Sequence, residues 1–144
     1  AGLVAVTPAA GNSGPFGAIL LGAVAGVVCC IVVMKLKAKL GFDDSLDVFP
    51  VHGVGGMLGT LAAGVFASTE LGLFSGYGFA FEHYGMLEQV GVQALGVLVT
   101  AGYTALVTWF ILRLVGLFTA LRVTPEEESQ GLDIALHEER GYDL

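Results

Sequence analysis

The first charged side chain of this 144-residue chain is Lys35, so residues 1–34 run without a charge. Only 13% of all residues are charged and 55% are hydrophobic, whereas about a quarter of a soluble domain is charged. Long uncharged stretches are typical of helices that cross a lipid bilayer, where the backbone has to form hydrogen bonds with itself. The sequence therefore predicts an all-α, polytopic membrane protein.

Charges and Gly/Pro clusters divide the chain into spans. Full spans are predicted at about residues 14–34, 48–68 and 89–121, each long enough to cross roughly 30 Å of hydrocarbon at 1.5 Å per residue. Residues 1–11 are predicted to end an earlier span, closed by a turn at 12–15. We therefore expect a transmembrane region over 1–121 and a tail over 122–144, together forming the C-terminal portion of a longer polypeptide.

The basic residues of the membrane region lie on one side of the predicted spans. They are Lys35, Lys37 and Lys39 between the first two full spans, and Arg113 and Arg122 towards the end of the third and after it. The connection over 69–88 contains neither Lys nor Arg. Because basic connections stay in the cytoplasm, the sequence predicts a cell-membrane protein with a cytoplasmic C-terminus and an external 69–88 connection. In that connection, His83 is expected to be an exposed surface residue.

The tail over 122–144 is acidic, with seven Asp and Glu against two Arg, a net charge of −5. This acidity gives no indication of nucleic-acid binding. Thr124, Pro125 and Glu127 form the sequence pattern of a capping box, and Gly131 is expected to end the short helix that follows. We expect the tail to become ordered against its own membrane domain or a soluble partner. A solvated, disordered tail is the alternative.

The side chain of His52 lies inside a predicted span, about 7.5 Å past Asp47 along a regular helix. A charged side chain at mid-bilayer costs roughly 2.5 kcal/mol or more, so such residues usually face a cavity or a pathway. A neutral imidazole has one donor and one acceptor nitrogen and can hold or pass a proton. We predict that His52 is buried beneath the interface and lines a conduit. The alternatives are a structural hydrogen bond, or ligation of a metal or haem, which needs partner ligands.

Three acids, Asp43, Asp44 and Asp47, precede the second full span. A carboxylate at a helix N-terminus accepts hydrogen bonds from free N–H groups and is favoured by the helix dipole. Asp47 is predicted to be this cap. Pro50 is expected in the first turn, where proline is tolerated because an N–H at that position would have no partner within the helix. A second carboxylate beneath the helix start is expected to order the backbone that lines the passage.

Glycines recur at a spacing of four residues in two of the spans, at Gly22 and Gly26 and at Gly55 and Gly59. Small residues at this spacing let helix backbones approach closely in lipid. We therefore expect tight helix packing at both places.

Three stretches of the chain, taken in order, resemble the C-terminal part of the ammonium transporter family (Amt/Mep/Rh). They are AGLVAVTPAA at 1–10, DDSLDVFPVHGVGGMLG at 43–59 and GLDIALH at 131–137. The resemblance implies an eleven-helix inverted-repeat transporter fold, assembled as a homotrimer with one pore in each subunit. This chain would then hold the end of the eighth helix and helices nine to eleven.

The resemblance also implies that the transported species is ammonium or ammonia and that two histidines line an apolar pore. His52 matches the second of these histidines, and Val48 and Thr7 match pore-lining positions. Asp44 matches the repeat-related acid of the second half, and both Asp44 and Asp47 are expected to support the pore. Such a protein is not an enzyme, and no cofactor or metal is expected.

In the tail, the resemblance indicates a segment that PII-family nitrogen regulators engage. The matching residues are Gly131, Leu132, Asp133 and His137. Glu138 stands where the family usually has a glycine.

Two other functions fit the same residues. His52 could belong to a membrane anchor subunit of a redox complex that binds haem or quinone. Alternatively, the helices could anchor an interaction module that acts through its acidic tail.

Overall fold

A computed structural model describes residues 1–41, 43–79 and 85–142, and every regular element in those ranges is a helix. The helices are α1 (Gly2–Ala9), α2 (Pro15–Leu40), α3 (Phe49–Phe66), α4 (Met86–Val115), α5 (Pro125–Gln130) and α6 (Leu132–His137). The all-α prediction is therefore confirmed. The prediction for His83 falls outside the described residues.

Three of these helices are long and apolar enough to cross a bilayer, with 26 residues in α2, 18 in α3 and 30 in α4. They overlap the three stretches predicted as full spans, and α2 runs six residues further than predicted, to Leu40. α4 ends at Val115, short of the predicted Leu121, because the backbone changes there to hydrogen bonds that span three residues. Leu117 and Phe118 donate N–H bonds to carbonyls three residues back, at Leu114 and Val115.

The chain forms two compact units, Ala1–Ala101 and Gly102–Leu144, and the boundary between them falls within α4. The N-terminal unit contains α1, α2, α3 and the first part of α4. The C-terminal unit contains the rest of α4 together with α5 and α6.

In the N-terminal unit, α1 packs against both α2 and α3. The buried core residues of these three helices are Ala5, Ala9, Leu21, Ala25, Ala63 and Phe66. Most of them are alanines, so the helix backbones come close together instead of being held apart by large side chains.

The closest approach joins α1 and α3. A Cβ atom placed on Gly59 would overlap the carbonyl oxygen of Ala5, and one placed on Gly55 would touch the carbonyl oxygen of Ala1. The two helices therefore run in the same direction, with contacts repeating every four residues. The tight packing predicted for Gly55 and Gly59 is confirmed. For the other pair it is wrong at Gly26, where an added Cβ meets no atom within 4 Å, whereas Gly22 lies against Gly2 of α1.

The connections at one end of the N-terminal unit are joined by hydrogen bonds. The N–H of Gly14 donates to the carbonyl of Phe74 at 3.1 Å, and the N–H of Gly76 donates to the carbonyl of Ser68 at 3.3 Å. The rings of Phe16 and Phe74 lie 6.0 Å apart. The turn after α1 and the connection after α3 thus form the end of the unit opposite the first turn of α3.

Gly59→Ala is expected to destabilise the protein by about 1–3 kcal/mol, because the added methyl group forces the backbones of α1 and α3 apart. Gly56→Ala is the matched control, since a Cβ on Gly56 meets no atom within 4 Å. Thermal unfolding of the detergent-solubilised protein measures both effects. Equal melting temperatures for the two variants would contradict the packing described for Gly59.

Candidate functional site

α3 begins with a π-helical turn, Phe49–Val54, and His52 lies within it. The prediction of a regular α-helix at this position is therefore wrong. α2 ends in a second π-helical segment, Val32–Lys37, and the two π-helical segments contact each other. π-helical turns inside α-helices are rare and occur frequently at functional sites.

The carboxylate of Asp44 caps the start of α3. Its Oδ1 accepts a hydrogen bond from the N–H of Val48 at 2.8 Å, and its Oδ2 accepts one from the N–H of Phe49 at 2.9 Å. Both N–H groups lie at the positive end of the helix dipole and lack partners within the helix. The cap predicted at Asp47 is therefore wrong, because Asp44 reaches these groups from the preceding loop.

Asp47 instead binds a lysine of the neighbouring helix. Lys37 Nζ donates to Asp47 Oδ1 at 2.6 Å, and the two side chains are 25% and 35% exposed. Asp47 has a φ of +55°, in the left-handed region, which costs most L-residues roughly 1–2 kcal/mol and costs Asp less, because its short polar side chain can form local hydrogen bonds. An ion pair this exposed contributes about 1 kcal/mol or less, so its contribution is comparable to the cost of the backbone that it holds.

The three side chains predicted to line a pore are all exposed in this chain. His52, Val48 and Thr7 lie outside the core of the N-terminal unit, and Val48 is 52% exposed. Among the described residues, His52 is therefore not packed into the protein core, and its burial beneath the membrane interface stays a prediction. The reason is that the stripe of α3 that faces the core consists of other residues, chiefly Gly55, Gly59 and Ala63.

Val48 and His52 share the start of α3, but Thr7 lies further along the unit. Because Ala5 is level with Gly59, Thr7 is level with the middle of α3, roughly 13 Å along the axis from His52. The Thr7 hydroxyl donates to the carbonyl of Leu3 at 2.8 Å, and its oxygen keeps lone pairs with which to accept.

In the C-terminal unit, the predicted capping box is confirmed. Thr124 Oγ1 accepts from the N–H of Glu127 at 3.2 Å, and the Glu127 carboxylate accepts from the N–H of Thr124 at 2.8 Å. This backbone hydrogen bond, and then the hydroxyl of Thr124, lower the pKa of Glu127. Gly131 has a φ of +95° and separates α5 from α6, as predicted.

α6 carries the remaining residues of the predicted regulatory segment. The side chains of Leu132, Asp133 and His137 are exposed. α6 ends at His137 and is followed by Glu138, whose φ of +54° is a conformation that glycine adopts without strain.

Sequence reasoning missed Lys37. It lies ten positions before Asp47, and nothing in the spacing separates it from Lys35 and Lys39, which carry the same charge on the same helix. It also missed the stacking of Arg113 over the ring of Trp109, with 5.4 Å from the guanidinium carbon to the ring centre. A positive charge four residues after an aromatic ring on one helix is a signal that could have found this pair.

Comparison with known proteins matches residues 1–142 to the Ammonium Transporter Family. An ammonium transporter of Bacillus subtilis is 43% identical over 142 residues, covering 99% of this chain and 34% of the relative. A putative ammonium transporter of Methanothermobacter thermautotrophicus is 46% identical over 146 residues, covering 100% and 35%. An ammonium transporter of Aquifex aeolicus is 44% identical over 144 residues, covering 100% and 33%. The chain thus spans about a third of the length of these relatives.

Asp44→Ala is expected to weaken the first turn of α3 by about 1 kcal/mol, because two N–H groups lose their acceptor. Hydrogen exchange of the amides of Val48 and Phe49 should become faster. Asp44→Asn keeps one acceptor oxygen, so it should retain the protection of one of the two amides and lose that of the other. Unchanged exchange in Asp44→Ala would show that Asp44 is not the cap.

The capping box of α5 is expected to weaken in acid. Because the folded pKa of Glu127 is lowered, its contribution is complete above the ordinary glutamate pKa and is lost as the pH falls through the lowered value. In an NMR titration, the Thr124 amide should shift with a midpoint below that of an ordinary glutamate. The shift should vanish in Glu127→Gln and persist in Glu128→Gln, and a midpoint at the ordinary value would contradict the bond.

Proposed function

The chain belongs to the ammonium transporter family, and we propose that it supplies the C-terminal portion of a protein that moves ammonium or ammonia across the cell membrane. His52, Val48 and Thr7 contribute to the wall of an apolar pore. The observation that carries this proposal is the family match over residues 1–142, which includes the whole of the 43–59 stretch. The match favours transport over a redox anchor or a module that acts only through its tail.

The proposed mechanism separates the proton from its carrier. A hydrated cation loses its solvation in a narrow apolar passage, which costs several kcal/mol or more for an unpaired charge, whereas neutral ammonia has no such charge to desolvate. The imidazole of His52 offers one donor and one acceptor nitrogen. It can bind ammonia by its lone pair or its N–H, and it can take or release a proton.

The exposure of the three pore residues supports this role. None of them is used in packing α1, α2 and α3 together, so their side chains are available to line the proposed pore. The chain spans about a third of the relatives' length, and we propose that the remaining part of the protein covers these side chains and completes the pore. The capping of α3 by Asp44 supports a fixed position for Val48 and His52.

We further propose the assembly and regulation that the family resemblance implies. The protein is a homotrimer of subunits with an eleven-helix fold, and residues 122–144 form a cytoplasmic tail. A PII-family regulator engages the segment that contains Gly131, Leu132, Asp133 and His137. The exposed side chains of α6 and the capped start of α5 support such a tail, because they present a short ordered segment.

His52→Ala in the full-length protein is expected to lower uptake of radiolabelled methylammonium by roughly a hundredfold, the lower end of what a positioned proton-transfer group contributes. The amount of protein in the membrane fraction should not change. Val51→Ala is the matched control, since it shortens a neighbouring side chain that does not ionise. Uptake of His52→Ala equal to that of Val51→Ala would refute the proposed role of His52.

A further inference from the structure

We infer that Lys37 is a positioning residue for the wall of the proposed pore: it holds the first turn of α3, and with it Val48 and His52, in place. This inference rests on the proposed function. Lys37 is the last residue of the π-helical segment of α2 and is not part of α3. It acts through one contact, from its Nζ to Oδ1 of Asp47 at 2.6 Å.

The backbone of Asp47 is the reason that this contact matters. Among the described residues, only Asp47 and Glu138 are non-glycine residues with a positive φ. Residues with a Cβ adopt this region less often because the Cβ crowds the following carbonyl oxygen, although Asp does so more readily than most. The bond from Lys37 opposes a return of Asp47 to the ordinary region, and it comes from a separate helix.

Asp47 also connects the loop to the helix. Its N–H donates to the carbonyl of Asp44 at 3.3 Å, and its carbonyl accepts from the N–H of Val51 at 3.0 Å. Val51 belongs to the same π-helical turn as His52. The direction of the Asp47 carbonyl therefore sets how that turn begins, and a change of φ at Asp47 displaces the residues on it.

Positive charge alone does not define this role. Lys35 and Lys39 bring the same charge to the same end of α2, and both side chains are exposed. Lys37 and Asp47 are instead partly shielded, at 25% and 35% exposure. The three lysines therefore offer a comparison in which charge is equal and only the contact differs.

The first test measures uptake of radiolabelled methylammonium by cells that express the full-length protein, divided by the amount of protein in the membrane. Lys37→Met should lose uptake on the order of tenfold, since small displacements of positioning groups have effects of this size. Lys35→Met and Lys39→Met should each keep it, and Lys37→Arg, which can still donate to Asp47, should restore most of it. Equal losses in all three Met variants, or no loss in Lys37→Met, would overturn the inference.

The second test separates backbone geometry from charge. Asp47→Ala and Asp47→Gly remove the same carboxylate, but only glycine tolerates a positive φ. Asp47→Ala should lose uptake as Lys37→Met does, Asp47→Gly should lose much less, and adding Lys37→Met to Asp47→Gly should cause no further loss. Equal losses in the Ala and Gly variants, or a further loss in the double variant, would show that Lys37 does not act through this backbone.

His52→Ala in the same assay distinguishes the inference from the proposed function. Normal uptake in His52→Ala refutes the pore role of His52 and, with it, the positioning role of Lys37. Normal uptake in Lys37→Met beside a defective His52→Ala refutes the positioning role alone. Defects in both variants, together with the difference between Asp47→Ala and Asp47→Gly, support the inference.

Discussion

The N-terminal unit depends on how closely the backbone of α1 approaches that of α3. In lipid, large apolar side chains gain little by packing on each other, so helices associate through close van der Waals contact between small residues. Gly59 against the carbonyl of Ala5 is the tightest such contact, and alanines fill most of the surrounding core. The large side chains are left outside, as Leu3 at 89% exposure and Ile19 at 70% show.

A core of this composition fixes the distance between the helices. The position of the first turn of α3 is instead fixed by polar contacts. The Asp44 carboxylate binds the first free N–H groups, and the Lys37–Asp47 pair joins that start to the end of α2. These contacts lie at one end of the unit, and the hydrogen bonds of Gly14 and Gly76 lie at the other. Val48 and His52 thus lie on a short segment that two contacts fix, the Asp44 cap and the Lys37–Asp47 ion pair.

The sequence was sufficient for features that depend on local composition. Charge and Gly/Pro placement predicted the three long helices, and the spacing from Thr124 to Glu127 predicted the capping box, because both are decided within a few residues. It was not sufficient for the cap of α3 or the partner of Asp47. Which of three nearby acids reaches the helix start, and which of three lysines reaches Asp47, depends on the path of the loop and on the packing of α2. Neither is encoded in local spacing.

The π-helical turn at the start of α3 has a consequence for which side of the helix each residue occupies. In an uninterrupted α-helix, His52 would share one face with Gly55 and Gly59, since positions three and seven apart align. At Gly55 and Gly59 that face lies against α1. One additional residue in a turn changes the phase of the residues before it by about 100°, and the phase of a residue inside the turn, such as His52, by part of this. A single helix can thereby place its glycines against the neighbouring helix and direct an imidazole elsewhere.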